Sequence, residues 1–132
     1  MDKPHKRLDV WNLGVELVTE IYKITKLLPR EENYNLISQM KRAAISIPNN
    51  IAEGAARNTK KEFINFLHIA QGSLSELDTH IEIASRLKYL QEKDVSNIST
   101  IMERVDKMLT GLIKFQKSSH ALRLTPYEKG IN

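Results

Sequence analysis

Apolar residues recur at helical steps in four blocks separated by three polar breaks. In the first block Trp11, Val15, Val18, Tyr22 and Thr25 follow steps of three and four, and Val10, Leu13, Leu17, Ile24 and Leu28 widen the stripe. Asp9 is placed to cap this block and Pro29 to close it, so the spacing predicts a helix over residues 9–28. The polar run at residues 29–33 is the first break. Leu36, Met40, Ala44, Ile47, Ile51 and Ala55 then predict a second helix over residues 34–57, with Pro48 inside it. A proline there has no N–H for the carbonyl of Ala44 and crowds it, so a kink is expected. The rival is a true break, with Asn50 capping a new helix and Glu53 as its capping-box partner. The kink is favoured because the apolar register passes through Pro48 without a phase jump.

Thr59 and Glu62 have capping-box spacing just before the third block, which runs from Phe63 to Leu87 and predicts a helix over residues 60–88. Residues 91–94 form the third break, with Asp94 or Ser96 able to cap the next helix. Ile98, Ile101, Val105, Met108, Leu112 and Phe115 predict a fourth helix over residues 95–117. Residues 1–8 and 119–132, the latter with Pro126 and Gly130, read as flexible tails. Short connections force neighbouring helices to run antiparallel. The expected fold is therefore all-α: a single domain over residues 1–132, an up-down four-helix bundle with a Pro-kinked second helix. A turn centred near Asn58 would set Ala43 and Ala44 opposite Ser73 and Gly72, small residues that permit close helix approach. The first and third helices also carry apolar residues on more than one face, among them Leu13, Leu17, Ile64, Ile69 and Ile83. One bundle cannot cover them all, so some are expected between subunits.

Composition narrows the chemistry. With 132 residues the chain is long enough for one real core. Cys is absent, which excludes disulfides, thiolate nucleophiles and zinc fingers. No apolar run is long enough to span a bilayer, and the first residues hold no apolar export segment, so a cytoplasmic protein without a membrane partner is expected. The net charge of +4 is unevenly spread: residues 62–92 carry 2 basic and 5 acidic groups, whereas the segments before and after them are mildly basic. A basic balance invites polyanions, although modest basicity is common and a mixed, soluble surface is the favoured account of it.

The histidines are His5, His68, His80 and His120, and no His-Glu-x-x-His or Glu-x-x-His pattern joins them, so no metal site is expected. Glu76 and His80 are spaced to pair on a helix surface. No Gly-rich phosphate loop and no nucleophile elbow occurs, so neither enzymatic activity nor a cofactor is expected. Lys41 and Arg42 on the second helix, and Arg57, Lys60 and Lys61 around the turn to the third, are the basic constellations. Three cations beside exposed helix-terminal amides could hold phosphates, while the favoured reading is that Arg57 serves the dipole at the end of its own helix. Aromatic residues make up only 6%, and Trp11 and Phe63 fall in apolar stripes, so no base-stacking platform is expected.

SIPNNIAEG at residues 46–54, KEFINFLHIAQGSLSELDTHIE at 61–82 and DVWNLGVEL at 9–17 resemble the bacterial four helix bundle protein family, also called 23S ribosomal RNA intervening-sequence proteins. The resemblance covers about residues 8–118. It implies an antiparallel four-helix bundle bent at Pro48 and assembly into a pentameric ring or barrel. A related protein is the accessory variability determinant of diversity-generating retroelements, a basic barrel that engages nucleic acid and a reverse transcriptase. Pro48, Glu53, Gly54, Gly72, Ser73 and Glu76 carry over as structural positions, and no catalytic residue does. The acidic third helix departs from that strongly basic relative. Two functional classes remain. One is a homo-oligomeric accessory protein that holds RNA or DNA backbone through Lys41, Arg42, Arg57, Lys60 and Lys61. The other is a structural or protein–protein interaction module that binds no nucleic acid.

Overall fold

Four α-helices account for most of residues 1–118, the residues that the computed structural model describes: α1 (Asp9–Ile24), α2 (Leu36–Ala55), α3 (Lys60–Arg86) and α4 (Glu92–Lys117). No strand occurs among them. Facing residues fix the helix directions. Gly14 of α1 faces Pro48 of α2, and Tyr22 lies under Lys41. Along α2 and α3, Gly54 meets Phe63, Ser46 bonds Ser73 and Arg42 meets Glu76. Lys60 of α3 reaches Gln116 of α4, and Gln71 bonds Thr110. Asn97 of α4 bonds Glu20 of α1, while Asn12 and Arg104 line one cleft. In every pair rising numbers meet falling ones, so each helix runs antiparallel to its neighbours around the cycle α1–α2–α3–α4.

The core is the apolar interior of that cycle. Leu17, Ile21, Met40, Ile47, Ile51, Phe63, Leu67, Leu77 and Leu109 are all fully buried. Burying one such side chain stabilises the fold by about 1.5–3 kcal/mol. An exposed ion pair contributes about 0–1 kcal/mol. The core therefore holds the bundle together, and the surface charges are available for other work.

The broad arc of α1 resolves differently from its leading stripe. Val10, Leu13, Leu17, Ile21 and Ile24 point inward, whereas Val15 and Tyr22 remain 37% and 40% exposed. Two packing neighbours, α2 and α4, decide which edge of a wide arc becomes core. Leu13 and Leu17, two of the apolar residues of which some are expected between subunits, are buried within the chain itself. On α3 the expectation divides: Ile64 is half-buried against the core, but Ile69 and Ile83 stay 50% and 42% exposed.

The helix ends shift for local reasons. Leu8, not Asp9, is the N-cap of α1, and Asp9 opens the helix. After Ile24 the chain tightens into a 3-10 turn at Thr25–Leu27, and Leu28 is extended, as the following Pro29 requires. A second 3-10 turn at Arg30–Glu32 delays α2 to Leu36. α3 stops at Arg86, where Lys88 N–H bonds the Ser85 carbonyl and Tyr89 N–H the Ala84 carbonyl, with Lys88 in the left-handed region at φ 68°. α4 begins inside the expected break. Gln91 is its N-cap in a reciprocal capping box with Asp94, which is therefore the third helical residue rather than the cap. Thr59 caps α3 as the spacing predicts, its hydroxyl accepting from Glu62 N–H at 3.2 Å.

α2 continues through Pro48 to Ala55. Asn50, the candidate cap of a separate helix, instead donates from its side chain to the carbonyl and hydroxyl of Ser46, at 2.8 and 2.9 Å. The first eight residues, expected as a tail, form a 3-10 turn at Pro4–Arg7 that packs against α2 and sends Leu8 into the core. The tail expected at 119–132 lies outside the described residues.

The α2–α3 register is offset from the expected one. Ser73 faces Ser46 rather than Ala43, and a Cβ on Gly72 would meet nothing within 4 Å. The close approach is at Gly54 instead. A Cβ there would lie 2.8 Å from both Phe63 Cδ1 and Phe66 Cβ, so only glycine lets α2 end this near the start of α3.

Candidate nucleic-acid interface

The five cations singled out from the sequence do not form one surface. Lys41 and Arg42 lie about 22 Å along α2 from Arg57, at ~1.5 Å per residue. They also serve different seams. The Lys41 ammonium stands 4.5 Å over the Tyr22 ring on the α1 side, while Arg42 pairs with Glu76 on the α3 side and with Gln39 on its own helix. Glu76 is shared with His80, whose Nε2 is 3.6 Å from the same carboxylate. Burial depresses the His80 pKa below 6.5, outweighing the pull of Glu76 in the opposite direction. The Nδ1 of His80 is buried without a hydrogen-bond partner among the described residues.

Arg57, Lys60 and Lys61 do share a corner, but in different electrical states. Arg57 is held by Glu53 at 3.2 Å and Glu62 at 3.9 Å, with its guanidinium 4.9 Å from the Phe66 ring centroid. Those two carboxylates largely neutralise it. Lys60 donates to the backbone carbonyl of Gln116, capping the last turn of α4. Lys61 is exposed and has no ion pair among the described residues.

The antiparallel packing adds cations that spacing along the chain did not connect. Lys114 and Lys117 close α4 beside the start of α3, and Lys3, Lys6 and Arg7 precede α1 at the same end. This end, residues 1–9, 53–62 and 114–118, carries eight basic groups against the four acidic groups Asp2, Asp9, Glu53 and Glu62. At the opposite end, residues 20–32 and 82–94 carry six basic and six acidic groups. The basic end also acts on its own histidine. The His5 pKa is lowered, first by burial against neighbours such as the Trp11 ring at 4.8 Å, then by Lys6 and Lys3.

Two clefts flank α3 and α4. One, about 460 Å³, lies midway along the helices and includes Asp78, Glu103 and Asp106 in its lining. The other, about 370 Å³, lies at the basic end and is lined by Lys60, Lys61, Ile64, Asn65, Gln116 and Lys117. Among the described residues no three His, Asp or Glu side chains gather as a metal site, and no helix is long and apolar enough to cross a membrane. The motif positions are spread along the α2–α3 seam and its flanks. Gly54 makes the close approach, Pro48 is buried against α1, Ser73 bonds Ser46 and Glu76 pairs with Arg42 and His80. Glu53 holds Arg57, and Gly72 faces solvent.

The family model described as 23S rRNA-intervening sequence protein matches residues 6–111. The chain belongs to this family. A solved structure similar to this intervening-sequence protein comes from Bacteroides thetaiotaomicron, a protein of unknown function from the S23 ribosomal protein family. The two are 26% identical with a TM-score of 0.73, over 80% of this chain and 95% of that one. No curated protein matches.

Proposed function

We propose that this intervening-sequence protein is a non-enzymatic, homo-oligomeric accessory protein of the cytoplasm that holds RNA or DNA by its backbone through the basic end of the bundle. The carrying observation is the segregation of charge: a twofold excess of cations at one end and balance at the other. Phosphate contacts of this kind fix position without reading sequence. We assign the contact to Lys60, Lys61, Lys114 and Lys117, because Arg42 and Arg57 are engaged with carboxylates. Assembly into a ring, five-fold as the family resemblance implies, would multiply the basic ends on one particle. The exposed Ile69 and Ile83 of α3, with Leu87 just past its end, support self-association, being apolar positions on an element whose other face already fills the core.

That same stripe favours the second reading, a protein–protein interaction module without nucleic acid. Fluorescence anisotropy with labelled single-stranded RNA and duplex DNA, run from 50 to about 200 mM salt, separates the two. The nucleic-acid reading expects binding that weakens steeply with salt and hardly depends on sequence. Light scattering that shows an oligomer, with no binding even at the lowest salt, leaves the interaction module.

A further inference from the structure

Two apolar stripes on different sides of the bundle lie outside its core. On α1, Trp11, Val15, Val18 and Tyr22 step by four, three and four residues, the spacing of a helix–helix seam. None of them is fully buried: Trp11 and Val18 are half-covered, and Val15 and Tyr22 are exposed. Tyr22 lies under Lys41 of α2, so the stripe borders the α1–α2 seam, where the half-buried Ile45 of α2 extends it. On α3, Ile69, Glu76 and Ile83 recur every seven residues, and Leu87 follows one turn later. Glu76 pairs with Arg42 of α2, so this second stripe borders the α2–α3 seam.

The two stripes match in height and in charge. Gly14 lies level with Pro48, and Ser46 with Ser73, which sets Val15 and Ile69 within about one helical turn of the same height. Tyr22, Lys41, Arg42 and Glu76 share a second level. Lys41 rests on a ring and has no ion pair among the described residues, while Glu76 keeps 37% of its side chain exposed beside Arg42. Set the α2–α3 side of one copy against the α1–α2 side of another pointing the same way, and apolar meets apolar while ammonium meets carboxylate. A copy turned end over end loses both matches.

We infer that a second copy of this chain covers the α1–α2 seam, packing the Ile69–Ile83 edge of its α3 on Val15 and Tyr22 and bringing its Glu76 to Lys41. The assignment rests on the self-association reading above and names the surfaces that reading uses. The two surfaces lie on different sides of one chain, so the contact runs head to tail. Adjacent sides of a four-helix bundle meet at about a right angle, so successive contacts turn back on themselves into a small ring rather than a filament. Every copy in that ring points the same way, and all the basic ends fall on one face.

Mixing two variants of the full-length protein tests this, with mass read by light scattering. Val15→Glu with Tyr22→Glu spoils the seam, and Ile69→Glu with Ile83→Glu spoils the α3 edge. All four positions are exposed, so helicity by circular dichroism should match the parent. The parent should assemble and each variant alone should be monomeric. Their equimolar mixture should double in mass and stop there, because each variant keeps one sound surface. Lys41→Glu should weaken assembly about tenfold, and by less in high salt. The chain has no Cys, so introduced cysteines report direction. Val15→Cys with Ile69→Cys should join copies through a short bismaleimide, whereas Val15→Cys with Ile83→Cys, about 21 Å further along α3, should not. An oligomeric parent whose variants stay assembled, or whose mixture stays monomeric, overturns this pairing of surfaces and leaves self-association standing. A crosslink through position 83 in place of 69 overturns the common direction. A monomeric parent overturns both readings.

Discussion

At one end of the bundle Arg57 is enclosed by Glu53 and Glu62, but Lys61, Lys114 and Lys117 project without ion pairs among the described residues. At the other end the two signs balance, and half of the charges have an internal partner. Lys23 pairs with Glu20 at 2.9 Å and Arg86 with Glu82 at 2.8 Å. Glu32 accepts from the Tyr89 hydroxyl at 3.2 Å, and Asp94 closes the Gln91 capping box. Both ends are helix termini rich in Lys and Glu, but one carries eight basic groups against four acidic and the other six against six. Where carboxylates sit one helical turn from their cations they neutralise them, and where helix ends from distant parts of the sequence meet, like charges accumulate. The accumulated charge costs stability through repulsion and gains an affinity for polyanions.

The comparison can be broken most forcefully at Gly54, because that contact seats the basic end. Gly54→Ala puts a methyl group against Phe63 and Phe66, including the backbone carbonyl of Phe63 at 3.2 Å. Overpacking of this kind costs about 1–3 kcal/mol. Thermal denaturation should show the loss, and an unchanged midpoint would mean that α2 and α3 do not approach this closely.

At the opposite end the expected change has the other sign. Lys88 holds φ 68°, a conformation natural to glycine. Lys88→Gly should stabilise the fold by about 0.5–1 kcal/mol, measured by chemical denaturation. The predicted α3 overran its true end by two residues for this reason: the residue that terminates it is a lysine, and the usual glycine signal is missing. Other boundaries were legible because their chemistry is local. Thr59 and Glu62 announced the start of α3, and the uninterrupted register carried α2 through Pro48. The candidate site was less legible. Arg57, Lys60 and Lys61 are neighbours in sequence, but their pairing with Glu53, Glu62 and the end of α4 depends on side-chain reach and helix packing. Lys114 and Lys117 join the site only through antiparallel packing.

The smallest effect concerns pH. His5 and His80 both have folded-state pKa values below 6.5, so the unfolded chain binds more protons as the pH falls. The stability present above pH ~6.5 should decline as the pH drops below that value and through the folded pKa values. His80→Gln should flatten part of this decline, as followed by denaturation between pH 7 and about pH 5. Added salt should raise the His5 pKa, because it screens Lys6 and Lys3 at the basic end. A His5 pKa indifferent to salt would show that the end is not electrically distinctive.

The central claim is that position, not total charge, makes one end of this bundle the nucleic-acid contact. The direct test compares two variants with the same loss of charge: Lys61, Lys114 and Lys117 to Ala at the basic end, and Lys23, Arg86 and Lys93 to Ala at the other. Fluorescence anisotropy with a single-stranded RNA at 50 mM salt should show the first variant binding at least about tenfold more weakly and with a flatter salt dependence, and the second binding like the parent. Equal losses in the two variants would contradict the account.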